Sequence, residues 1–192
     1  MSATSKRKII LASGSPRRKE LMEMCGFNFE VKTKNTDETH PENVPQNLIP
    51  EILAEKKATA FASEIGDDII VAADTIVILN DVIYEKPKSK DDAIKMLQAL
   101  SGKTHIVHTG VCILTKDSKE IFSEKTEVKF AILTDEEIEF YVAKFKPFDK
   151  AGAYACQEWI GAIGIESFNG SYHNVVGLPT HKVYKILKKI ME

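Results

Sequence analysis

No segment of this 192-residue chain approaches the roughly 20 consecutive apolar residues that a bilayer-spanning helix needs, so no membrane partner is expected. Residues 1–8 are polar and lack the apolar core of a signal peptide, which makes the cytoplasm the expected location. Cysteine is scarce and odd in number. Cys25, Cys112 and Cys156 lie far apart with no metal-type spacing, which argues against a disulfide framework and for reduced thiols. An excess of charge is also missing. A net charge of −2 and a pI near 6.2 give no global attraction to nucleic acid, so phosphate binding must come from locally gathered Lys and Arg. The chain has no Walker-type loop, no dinucleotide fingerprint and no serine nucleophile elbow. His105, His108, His173 and His181 share no metal-ligand spacing, and His40 sits among acidic loop residues.

What is present is an ordinary globular composition, 43% hydrophobic and 28% charged, in a chain long enough for one substantial core or two small lobes. Residues 9–12 form an apolar run that leads through Ser13-Gly14-Ser15-Pro16 into a helical pattern carried by Leu21, Met24 and Cys25. Ser15 is placed to cap that helix, with Pro16 at its first position and Arg17 and Arg18 in its first turn. A strand over residues 27–31, a polar loop over 33–45 and a helix over 48–65 follow.

Residues 69–79 are the most β-rich segment, and Asn80-Asp81 signals a hairpin return over 82–84. Residues 90–100 read as a helix, and residues 104–133 as a hairpin about the turn at 116–119. Thr134 and Glu137 then make a capping box for a helix that Pro147 ends. The tail over 149–179 reads as strands and loops, and a last helix runs over 179–190. The pattern implies an α/β fold, a mixed sheet flanked by helices with room for two lobes around a central cleft, in one domain over residues 1–192.

Several residues break these patterns in chemically useful ways. The segment from Ser13 to Arg18 brings together a strand end, small residues, hydroxyls, a helix N-terminus and two guanidinium groups, which suits an anion. The alternative is that the arginines decorate an exposed turn, but cations there oppose the helix macrodipole. Asp74 interrupts an apolar strand and must pair with a cation, bind a metal or accept hydrogen bonds. Lys57, beside Lys56 in the middle helix, and Lys86 in Glu85-Lys86-Pro87 could add cations, or could be solvated surface. Asp37 and Glu38 could complete a divalent-metal site with Asp74, or form a solvated acidic loop. Gln157 offers an amide able to read a base edge, and Trp159 could stack on a base or pack in the core.

Taken in order, Leu11-Ala12-Ser13-Gly14-Ser15-Pro16-Arg17-Arg18, Ala73-Asp74-Thr75, Glu85-Lys86-Pro87, Leu100-Ser101-Gly102, Asp149-Lys150-Ala151-Gly152-Ala153-Tyr154 and Val176-Gly177-Leu178-Pro179 resemble the Maf family of nucleoside triphosphate pyrophosphatases. The resemblance implies an elongated fold similar to that of inosine triphosphate pyrophosphatases and a divalent cofactor, Mg²⁺ or Mn²⁺. The implied reaction releases nucleoside monophosphate and pyrophosphate, which would limit incorporation of modified nucleotides into nucleic acids. By position, Asp74 matches the family's catalytic carboxylate, and Ser13, Ser15, Arg17, Arg18, Lys57 and Lys86 match its substrate-binding residues. Asp37 and Glu38, with Asp74, match its metal positions. Arg17, Thr75 and Gln157 resemble the subgroup acting on dTTP and UTP. The chain departs from the family where Ala155-Cys156 replaces the usual Gly-Ile and Glu158-Trp159 follows in place of small residues. The implied partner is the nucleotide substrate, and a homodimer is compatible with the pattern. A nucleotide-binding regulator of cell division with little turnover is the competing reading.

Overall fold

The computed structural model describes residues 7–37, 39 and 43–192. Among them, seven strands form a single sheet: β1 (Ile9–Leu11), β2 (Phe29–Val31), β3 (Ile69–Leu79), β4 (Val82–Tyr84), β5 (Thr104–Leu114), β6 (Lys119–Phe130) and β7 (Ile165–Asn169). The α-helices are α1 (Pro16–Met24), α2 (Ile49–Thr59), α3 (Lys90–Leu100), α4 (Asp135–Phe145), α5 (Trp159–Gly164), α6 (Tyr172–Val176) and α7 (Thr180–Met191). The strand order is β2-β1-β3-β5-β6-β7, with β4 paired to β3. β1 runs parallel to β2 and β3, whereas β3–β4 and β6–β7 are antiparallel, so the expected mixed sheet is what forms. No helix among the described residues is long and apolar enough to cross a membrane.

The chain divides into two compact units. The first holds the described residues up to Asp74 together with Thr109–Ser123 and Gly177–Glu192, and the second holds Thr75–His108 and Glu124–Val176. In the first unit, Ile10, Ala12, Ile70, Ala72 and Cys112 from the sheet pack with Ala54 and Ala58 of α2 and with Phe61 and Ile65 beyond it. Small residues on α2 let it lie close to the strands. Gly110 on β5 marks the tightest approach, since a β-carbon there would sit 2.2 Å from the carbonyl carbon of Pro50. The helix expected over residues 48–65 stops at Thr59, with a short 3-10 turn at Ala62–Glu64. Its end is satisfied from outside, because Lys34 Nζ donates to the Ala60 carbonyl at 2.8 Å.

In the second unit, α3 buries Ala93, Leu97 and Leu100 along one face. α4 buries Ile138, Tyr141 and Val142, and both helices share a core with Val77, Val107, Val128 and Phe130. The capping box of α4 forms as expected, and Lys146 closes the helix in the left-handed conformation just before Pro147. Asn80 and Asp81 both adopt positive φ, as a tight hairpin turn requires. The tail expected as strands and loops instead carries α5, β7 and α6. Gly161 and Gly164 weaken the local helix signal in α5. The helix is held by packing: Ile160 is buried, and the Cys156 carbonyl oxygen lies where a β-carbon on Gly161 would be.

His105 is a buried polar member of this core. Its Nε2 lies 2.7 Å from the Tyr154 hydroxyl, and its ring meets Phe130 and Tyr154 edge-on. Burial pushes its pKa down from the ordinary 6.5 to about 4.

Two outcomes follow from these contacts. Gly110→Ala forces a methyl into the α2 backbone and is expected to destabilise the chain by about 3 kcal/mol or more. A urea midpoint equal to wild type would contradict the close approach. His105 stays neutral in the fold while the unfolded chain takes up a proton, so stability present above pH 6.5 is lost as pH falls toward 4. The loss attributable to this residue is expected to be on the order of 3 kcal/mol at the lower limit. Comparing denaturation of wild type and His105→Gln between pH 7 and 4.5 measures it; identical pH slopes in the two proteins would refute it.

Candidate functional site

The first unit gathers a serine–arginine cradle at the end of β1. Its pairing with β3 carries one residue beyond Leu11, where Ala12 N donates to Val71 O at 2.8 Å, and the chain then turns into α1. Ser15 caps the helix, accepting from Arg18 N, and Pro16 occupies the first helical position. Ser13 Oγ accepts from Ser15 N at 3.3 Å and from Arg18 Nη1 at 3.3 Å. Arg18 Nε donates to the Gly177 carbonyl at 2.9 Å, which ties the cradle to the segment that leads into α7. These two side-chain bonds run to neutral oxygens and orient the guanidinium. Arg17 follows Pro16 in a first turn that carries no acidic residue, where the macrodipole favours an anion.

Because β1 and β3 run parallel, both point their C-terminal ends the same way, the end at which ligands gather in α/β sheets. Asp74 lies three residues beyond Val71 on β3, roughly 10 Å further along the strand at about 3.3 Å per residue. Residues 69–73 are fully buried and the pattern breaks at Asp74 and Thr75, which are half-buried. Lys57 reaches Asp74 from the last turn of α2, with Nζ 2.6 Å from Oδ1. The two side chains are only 17% and 15% exposed, which makes this the least solvated Lys–Asp contact of the first unit's described ion pairs. Such a pair forms only with good geometry, because desolvating each charge costs several kcal/mol.

Both oxygens of Asp37 accept from Thr39, and Lys56 Nζ stands 3.8 Å away, so hydrogen bonds to Thr39 lead in holding its carboxyl below the usual range. Glu38 and His40 lie outside the described residues. No group of three or more His, Cys, Asp or Glu side chains that could hold a metal occurs among the described residues. Thr75, Lys86 and Gln157 belong to the second unit. There, Gly152 N donates to Glu85 O at 3.1 Å, which fastens the 149–158 segment to the residue before Lys86. Lys86 and Gln157 are both exposed. Trp159 packs, its ring edge-on to Phe140 at 4.9 Å and against the core, so of its two readings the structure supports the packing one. Cys112 is buried, with a thiol pushed up to about 12, as befits a bystander.

The sequence reading placed Asp74 and Lys57 in one site without showing that they touch. It missed Gly177 as an acceptor for Arg18, since 159 positions separate them and a carbonyl leaves no residue-type signal.

The family model described as "Maf-like protein" matches residues 8–190. The dTTP/UTP pyrophosphatase of Phocaeicola vulgatus is 51% identical over 187 residues, covering 96% of this chain and 97% of its own. That of Flavobacterium psychrophilum is 49% identical over 181 residues, covering 94% and 93%. Among solved structures, the Staphylococcus aureus Ham1 protein superposes with a TM-score of 0.57 at 16% identity, over 95% of this chain and 99% of that one, a likeness of fold. With nearly its whole length matched by the family model and by relatives about half identical to it, the chain belongs to the Maf-like family.

Proposed function

We propose that this protein hydrolyses dTTP and UTP to the monophosphate and pyrophosphate, adding one water across the α–β phosphoanhydride. The observation that carries the reading is a half-buried carboxylate, Asp74, gripped by Lys57 midway along β3, beyond the point where the paired β1 ends and turns into the Ser13–Arg18 cradle. The names of the near full-length relatives support the substrate. The α1 N-terminus, Ser13, Ser15, Arg17 and Arg18 hold the triphosphate oxygens. Asp74 accepts the proton of the attacking water, and Lys57 fixes the carboxylate's orientation through Oδ1. Lys86 supplies a further cation to the phosphates, and Thr75 and Gln157 address the base; these three roles rest on the family resemblance.

Mg²⁺ or Mn²⁺ fits this donor set, because such ions bind nucleotides through one or two carboxylates and complete their shell with phosphate and water. Asp74 would hold the ion, with Asp37 and Glu38 the further carboxylates the resemblance assigns. When bound, it supplies charge neutralisation on the phosphates and acidifies water. The protein acts on free nucleotides in the cytoplasm, in keeping with a net charge of −2 that gives no pull toward nucleic acid.

Incubating the purified chain and Mg²⁺ or Mn²⁺ with a panel of nucleoside triphosphates, then resolving the products, is expected to give monophosphate and pyrophosphate fastest from dTTP and UTP. Asp74→Asn, which keeps an oxygen for Lys57, is expected to lower turnover by about a thousandfold with an unchanged circular dichroism spectrum. Binding without turnover by the wild type would instead favour a nucleotide-sensing regulator. Arg18→Ala is expected to raise KM for the triphosphate about tenfold or more, the loss of one charge-assisted hydrogen bond. An unchanged KM in that variant would remove the phosphate cradle.

A further inference from the structure

Gln157 sits on a turn of unusual construction. Glu158 N donates to Ala155 O at 3.1 Å, closing a four-residue turn with Cys156 and Gln157 at its two central positions. One buried hydroxyl joins the turn's two ends. Tyr141 Oη accepts from Ala155 N at 3.2 Å, and it donates to Glu158 Oε2. Thus the first and last residues of the turn share a single anchor on α4, while Gln157 projects from the tip, exposed.

The anchor is itself immobilised. Tyr141 is fully buried, its ring stacked on Phe145 with centroids 5.1 Å apart. Burial and the Glu158 carboxylate raise its pKa, so the hydroxyl stays protonated and keeps its donor role. The other Glu158 oxygen lies 3.3 Å from Lys150 Nζ, a buried ammonium that also meets Asp149 at 2.7 Å. Tyr154, just before the turn, is pinned by His105 at 2.7 Å, and Gly161, just after it, presses on the Cys156 carbonyl. Gly152 and Ala153 both hold positive φ, a conformation that costs a non-glycine residue of order 1 kcal/mol and persists only where surrounding contacts enforce it.

We propose that Tyr141 is a positioning residue for base selectivity: its hydroxyl, through Ala155 and Glu158, fixes the turn that presents the Gln157 amide to the pyrimidine. The inference rests on the dTTP/UTP reading above. Uracil and thymine share an edge with an N3–H donor between two carbonyl acceptors. A primary amide offers one acceptor and one donor side by side and matches that edge only when its plane and its flip are both held; within the turn, Cys156 Sγ donates to Gln157 Oε1 at 3.6 Å, which favours one flip. Cytosine presents an unprotonated N3 beside an amino group, the reverse pattern, so the ratio of kcat/KM for UTP over CTP reads the register. Glu158 is what lets the turn close in this way, because a small residue there could not accept from Tyr141.

The test measures that ratio in wild type, Tyr141→Phe, Gln157→Ala and the double variant, with thermal melting alongside. Tyr141→Phe keeps the ring and is expected to lower the UTP/CTP ratio about tenfold, mainly through a higher KM for UTP with kcat retained. Gln157→Ala is expected to do the same, and the double variant to match Gln157→Ala alone, since the hydroxyl acts through the amide. Glu158→Gln, which retains an acceptor for Tyr141, is expected to keep the ratio, and Glu158→Ala to lose it; this pair carries the test should Tyr141→Phe fail to fold. A ratio unchanged in Tyr141→Phe, or losses that add in the double variant, would overturn the proposal while leaving the pyrophosphatase reading intact. A wild-type chain that hydrolyses no nucleoside triphosphate would overturn that reading and this inference with it.

Discussion

A carboxylate inside a strand whose five preceding residues are fully buried needs a cation, a metal or hydrogen bonds brought to it, and Lys57 supplies a cation at 2.6 Å. Much of the first unit can be understood as meeting that condition. α2 must lie close enough to the sheet for a lysine in its last turn to reach β3, which is why its buried face includes Ala54 and Ala58 and why β5 has a glycine under Pro50. Lys57 is also well placed for the helix itself, since a cation in the last turn complements the macrodipole. A single contact thereby links the depth of α2, the side chain in the middle of β3 and the orientation of one carboxylate oxygen.

The second unit solves a different problem, the display of a polar side chain from a segment rich in small residues. Such a segment has little side-chain area with which to hold itself, so its shape is borrowed from its surroundings. Glu85 fastens one end through Gly152, His105 holds Tyr154, and Tyr141 closes the turn itself. The buried polar groups here are high-stakes, because each costs more unpaired than it contributes when paired. A rigid turn is what that arrangement delivers.

Legibility in the sequence followed the range of the interactions involved. The Thr134–Glu137 capping box, the Asn80-Asp81 turn and the Ser15–Pro16 helix start are set within four residues, and the structure has each where the sequence put it. The long alternating stretches about residues 116–119 gave β5 and β6 for the same reason. The end of α2 was misplaced because Lys34, 26 positions away, caps it. α5 was invisible because two glycines argue locally against a helix that packing against Cys156 and the core imposes. In the candidate site, the residue types of Asp74, Lys57 and the arginines stood out as breaks in pattern, whereas the contact between Lys57 and Asp74 and the Gly177 acceptor needed the fold. Tyr141 was hidden most completely, since at the i+3 position from Ile138 it reads only as a buried aromatic on an amphipathic helix.

The two arginines of α1 bear on the choice between phosphate binding and mere decoration. Cations in a first turn are unfavourable by a few tenths of a kcal/mol or more, and the helix offers no acidic residue there to offset them. A decorative arginine would relieve this by extending into water. Arg18 instead is drawn back onto Ser13 and Gly177, and holding a long side chain in one rotamer adds up to about 2 kcal/mol of lost entropy. The result is a guanidinium fixed at a helix N-terminus. An anion with several oxygens meets the dipole and the fork together. That balance makes a phosphate the natural occupant of the loop, ahead of any particular base or metal.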